Sequence, residues 1–164
     1  MTDPLDLPAG THSQVAVAGH PIHPMLITFP VAFYSALLAS DIAYLVTEDL
    51  FWAQVSVWLA AAGSVMGLLA GIAGTVELLM VRGIRLRPTS WSHFVASVLL
   101  LSIGFINWAF RIPDSVGGIY PWGIYLSGLG VLVLGVAGWL GGHLVFHHQI
   151  GVVDEEEEEA GARH

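Results

Sequence analysis

Four long apolar stretches, at about 25–46, 52–80, 91–110 and 122–146, alternate with short polar links. Each reaches the roughly 20 residues that a helix needs to cross a ~30 Å hydrocarbon core. The runs are continuously apolar, without period-two alternation, and four are too few for a closed barrel. The pattern therefore predicts helices and not strands. Trp52, Trp91 and Trp122 each open a stretch, where an indole at headgroup level is expected. The links at 47–51, 81–90 and 111–121 are short, which makes consecutive helices antiparallel neighbours. The expected fold is all-α: an integral membrane up-down bundle of four helices with N and C termini on the same side. We call that face side A; it also carries the 81–90 link. The opposite face is side B.

Composition agrees with the pattern. Of 164 residues, 55% are hydrophobic and only 11% are charged, and the mean hydropathy is +0.71. A soluble domain carries about a quarter charged residues, so this chain has too few to cover its surface in water. The length suits one domain. The reading divides it into a polar segment at 1–18, a membrane domain at 19–153 and an acidic tail at 154–164. The net charge of −8 is largely local, because Asp154 and the run from Glu155 to Glu159 supply six of the thirteen acids. That tail is expected to be disordered. The first eighteen residues lack a basic start and an apolar centre, so the first helix is expected to act as the insertion signal.

Charge also bears on orientation and on partners. Arg82, Arg85 and Arg87 share the side-A link, and Arg111 alone lies on side B. The positive-inside rule then puts side A in the cytoplasm, for a multi-pass protein of the cell (inner) membrane. No broad basic face exists, so the lipid bilayer is the expected partner and nucleic acid is excluded. The absence of cysteine excludes disulfides, thiolate metal sites, iron–sulfur ligation and thiol catalysis.

Small residues punctuate the spans. Gly63, Gly67, Gly71 and Gly74 line the second, and Gly128, Gly135 and Gly142 recur at heptad spacing in the fourth, with Gly138 and Gly141 between them. Close backbone approach holds helices together in lipid, so helix packing is the first reading; clearance for a flat cofactor is the second. No internal repeat is evident.

The candidate chemistry lies in the histidines. His20, His23, His93, His143, His147 and His148 all fall near side A, and neither side-B link holds one. His12 and His164 belong to the ends. In Gly19-His20-Pro21-Ile22-His23-Pro24 two prolines stiffen the backbone around two imidazoles. Glu77 lies inside the second apolar stretch near side A, where an ionisable group is costly and a functional candidate by default. It could pair with Arg82 or Arg85, fix a ligand histidine or bind a metal itself. His143 and His147 share a helix face, and His93 follows Trp91 at the depth of Glu77. Asp41, near side B, is expected to act as a cap or to pair with Arg111.

The segment Gly19-His20-Pro21-Ile22-His23-Pro24-Met25-Leu26, followed by Phe29-Pro30, resembles the start of a bacterial four-helix membrane family of unknown function, as does the later stretch from Gly141-Gly142 through Leu144-Val145 to Gly151-Val152. The resemblance covers roughly 19–153. Relatives carry an acidic residue late in the second helix, matched by Glu77 where Asp is commoner. They also carry an Arg and then a His entering the third, matched by Arg87 and His93. Their usual Tyr-x-His-Gly ending resembles Phe146-His147-His148-Gln149, which leaves two histidines as equivalents. Some relatives are fused to a Rieske iron–sulfur domain, which implies redox chemistry and a b-type haem; this chain, lacking cysteine, cannot hold such a cluster.

Three functions are then open. The first is a haem b or other metal centre near side A for electron transfer, bound by His93 with His20, His23 or His143, or with His147 from the same face. Glu77 would orient a ligand, and Trp91 and Phe94 would line the pocket. The second is a non-haem Zn or Fe site at His20, His23, Glu77 and His93. The third is a cofactor-free accessory subunit of a larger membrane complex. A redox partner is implied by the first. No motif names a reaction.

Overall fold

The computed structural model describes Ala16, Val17 and residues 20–148, with backbone only at 16, 17, 147 and 148. The expectations for 1–15, for the acidic tail and for the side chains of His147 and His148 lie outside the described residues. A two-residue strand β1 (Ala16–Val17) pairs antiparallel with β2 (His20–Pro21), and the chain then enters the membrane. Helix α1 (Ile22–Thr47) starts directly after Pro21, with Pro24 in its first turn, where a missing N–H costs no intrahelical bond. It ends where Glu48 turns left-handed at φ 55° and its N–H caps the Tyr44 carbonyl at 2.8 Å. Asp49 then caps α2 (Leu50–Met80) by accepting from the Phe51 N–H at 2.9 Å.

A single turn, α3 (Arg82–Arg85), interrupts the side-A link, a helix the sequence did not foretell. Helix α4 (Pro88–Arg111) begins on a proline, and α5 (Ile124–His148) follows a distorted turn at Ile119–Gly123 that kinks at Tyr120. The four long helices match the expected apolar stretches to within three residues at either end, and all are long and apolar enough to span a bilayer. Their outer faces carry large apolar side chains, such as Trp58, Leu132, Trp139 and Phe146, each more than two-thirds exposed. In water such a surface would aggregate; in lipid it is the expected one.

Around the bundle the order of contact is α1, α2, α4, α5 and back to α1, so α1 and α4 face one another across a diagonal. With four spans these two run in the same direction, from side A to side B. Three layers bridge them, at His23 and His93, Tyr34 and Gly104, and Asp41 and Arg111. In every layer the two residues are the same 70 positions apart. His23 and Asp41 are about 27 Å apart along α1 at 1.5 Å per residue, so the outer layers lie near the two limits of the hydrocarbon core. The middle layer is a slot. The Tyr34 ring fills the space where side chains on Gly63 and Gly104 would stand, and its hydroxyl lies 3.3 Å from that of Ser64.

Candidate functional site

The side-B layer is a charged network drawn from all four helices. Arg111 grips Asp41 at 2.7 and 2.8 Å, and both side chains are fully buried. The remaining guanidinium donors reach the Asn107 carbonyl oxygen at 3.0 and 2.9 Å and the Ser127 hydroxyl at 3.2 Å. Ser56 and Ser127 donate to the two carboxylate oxygens at 2.7 and 2.6 Å. Asn107 donates to Ser127 at 2.9 Å, and Ser40 donates to the Trp52 carbonyl at 2.9 Å. Gly118 and Gly123 let the loop close over Arg111, for a Cβ at Gly123 would stand 2.9 Å from its Nη2. An ion pair in so apolar a setting is tolerable only when every remaining donor and acceptor is met. Here they are. The expected pairing of Asp41 with Arg111 is present, and its serine and asparagine partners are residues that sequence reasoning did not single out.

The side-A layer is built otherwise. His23, in the first turn of α1, has Nδ1 at 2.8 Å from the carbonyl oxygen of Ala70 on α2. His93, on the second turn of α4, has Nδ1 at 2.9 Å from the carbonyl oxygen of Ala137 on α5. A carbonyl oxygen only accepts, so each Nδ1 donates, which in the neutral imidazole leaves the lone pair on Nε2. The two half-buried rings meet with centroids 6.2 Å apart and planes at 82°. Glycine makes both positions possible. A Cβ at Gly74 would stand 2.9 Å from Cε1 and Nδ1 of His23, and one at Gly141 would stand 3.1 Å from Cε1 of His93.

The two half-sites are copies of one arrangement. Ala70-Gly71-Ile72-Ala73-Gly74 and Ala137-Gly138-Trp139-Leu140-Gly141 share the pattern Ala-Gly-x-x-Gly. In each, the alanine carbonyl takes the imidazole and the last glycine clears its ring. The hairpins α1–α2 and α4–α5 thus each supply one histidine, held by the same local means. The packing reading of the glycines on α2 and α5 holds for some and not for others. Gly63, Gly67 and Gly74 receive side chains, whereas Gly71, Gly128, Gly135 and Gly138 have nothing within 4 Å of a Cβ.

Other expected site residues are placed elsewhere. His20 is exposed on β2, and His143 is half-buried on α5. Glu77 is buried at 8% exposure, one turn beyond Gly74. Among the described residues no three of His, Asp and Glu form a group that could hold a metal ion, so the set His20, His23, Glu77 and His93 is not gathered. Trp91 and Phe94 turn toward the side-A link and α3. They stack on each other at 6.0 Å; Phe94 packs on Leu78, Val81 and Ile84, and the Trp91 indole donates to the Arg85 carbonyl at 2.8 Å.

With this geometry in view, family comparison places the molecule among the predicted membrane proteins. The chain belongs to the family DUF2231, whose model matches residues 19–154, nearly all of the membrane body. No curated protein and no solved structure matches it.

Proposed function

We propose that this membrane protein carries a b-type haem between His23 and His93 and serves electron transfer. The observation that carries the reading is the pair itself: two imidazoles from diagonal helices, each held by a backbone carbonyl at Nδ1, with centroids 6.2 Å apart. Haem iron takes axial histidine, and a metal-bound imidazole nitrogen lies about 2 Å from the metal. With the rings this near, both imidazoles would be available to hold one metal centre, supplying nitrogen donors from two helices. A hydrogen bond at the far nitrogen fixes the tautomer and raises the basicity of the ligating one, as outer partners of metal-bound histidines do. Bundle proteins build such sites from facing helices in their cores.

The number of donors favours haem over a bare Zn²⁺ or Fe²⁺ ion. Haem brings most of its own nitrogen ligands and asks one or two of the protein, which His23 and His93 would supply. A structural zinc needs four protein ligands, and among the described residues no third donor joins the pair. In this reading Ala70, Ala137, Gly74 and Gly141 position the ligands. The arginine-rich link supports a cytoplasmic location for the centre in the inner membrane, facing a redox partner or larger complex there.

Purified protein tests this directly. A Soret band with a sharp α-band after dithionite is expected, lost in His23→Ala and in His93→Ala. A colourless protein with stoichiometric zinc would replace the haem reading by the non-haem one. A protein free of any metal would leave the accessory-subunit reading.

A further inference from the structure

The side-A link carries a second feature that is independent of the histidine centre. Arg82 and Arg85 are exposed, three apart on the single turn of α3, and so lie on one face. Arg85 Nη1 donates to the Leu79 carbonyl at 2.8 Å, which ties that guanidinium to the end of α2. The Trp91 indole, donating to the Arg85 carbonyl, ties the other side of the turn to α4. Around the two cations lie Leu79, Met80, Leu86 and Trp91, all between 43% and 66% exposed. Two exposed guanidinium groups, that of Arg85 held by the end of α2, thus stand beside an apolar skirt.

We infer that this turn binds the headgroup of an anionic phospholipid. The phosphodiester would be held by Arg82 and by the donors of Arg85 that do not face Leu79, with an acyl chain along Leu79, Met80 and Leu86. Guanidinium is the side chain best matched to phosphate oxygens, through paired N–H donors. Basic clusters at the cytoplasmic ends of spans select anionic lipid by the same attraction. The apolar skirt favours a lipid over a soluble anion, because exposed Leu79 and Met80 lie where acyl chains begin. An occupant held there would brace α2 against α4 just beyond Gly74.

The test uses the full chain in mild detergent, mixed with equal phosphatidylglycerol and phosphatidylcholine, with retained lipids counted by native mass spectrometry. Wild type is expected to retain phosphatidylglycerol preferentially, with each arginine contributing about fivefold. Arg82→Gln should reduce the preference by about that factor, and Arg82→Gln with Arg85→Gln should abolish it. Arg82→Gln leaves the Arg85 cap on α2 in place, so it decides the matter if the double variant does not fold. No preference in wild type, or an undiminished preference in folded Arg82→Gln, would overturn the inference.

Discussion

The two ends of the bundle bury polar groups by opposite rules. On side B, Asp41 and Arg111 are sealed at zero exposure, and every carboxylate and guanidinium contact is answered by a side chain. On side A, His23 and His93 are half-buried, each is fixed at one nitrogen by a backbone carbonyl, and the tautomer leaves a lone pair at the other. Saturation stabilises the fold and leaves nothing for a ligand. Partial satisfaction, with rigid support, is what a binding centre needs. The same pair of diagonal helices carries both, so the contrast concerns chemistry and not architecture.

The contrast can be tested by stability, from the largest effect down. Replacing Arg111 with Met strands the Asp41 carboxylate, and a loss of about 3–5 kcal/mol is expected from breaking a buried pair. Thermal unfolding in detergent would register it, and a loss below 1 kcal/mol would mean the network does not hold side B together. Gly74→Ala pushes a methyl into the His23 ring, and overpacking of this kind costs about 1–3 kcal/mol. Gly141→Ala should cost less, since the approach to His93 is looser; the reverse order would contradict the described ring positions. His93→Phe removes one hydrogen bond to Ala137, and about 1 kcal/mol should be lost from the cofactor-free protein. The same variant should abolish the Soret band, separating binding from folding. Gly138→Ala meets no atom within 4 Å, so a change within about 0.5 kcal/mol is expected.

Depth was legible in the sequence, and rotation was not. Rise per residue places His23, His93 and Glu77 near one face and Asp41 and Arg111 near the other, which is why the ion pair could be anticipated. Which way each side chain points around its helix is a different quantity. It is normally read from an apolar stripe, and these helices are apolar on all sides because lipid surrounds them. Trp91 and Phe94 show the consequence: they meet each other, the end of α2 and α3, a direction the sequence does not carry. For the same reason the sequence could not single out His23 and His93 as a pair that meets. The recurrence of Ala-Gly-x-x-Gly was a usable signal, since a small residue one turn beyond an exposed carbonyl is what an incoming ring requires. Its sequence resemblance is too short to stand out unless the histidines are already paired with it.

The constant 70-residue offset between α1 and α4 makes the interior behave like a lock with three pins on one shaft. One additional residue turns a helix by about 100°. An insertion in α1 between His23 and Tyr34 would therefore swing the imidazole away from its counterpart while the phenol and the carboxylate stayed engaged, and an insertion between Tyr34 and Asp41 would unseat only the carboxylate. Length changes of this chain should accordingly be confined to its links, and each span keeps its count because three unlike contacts share one axis.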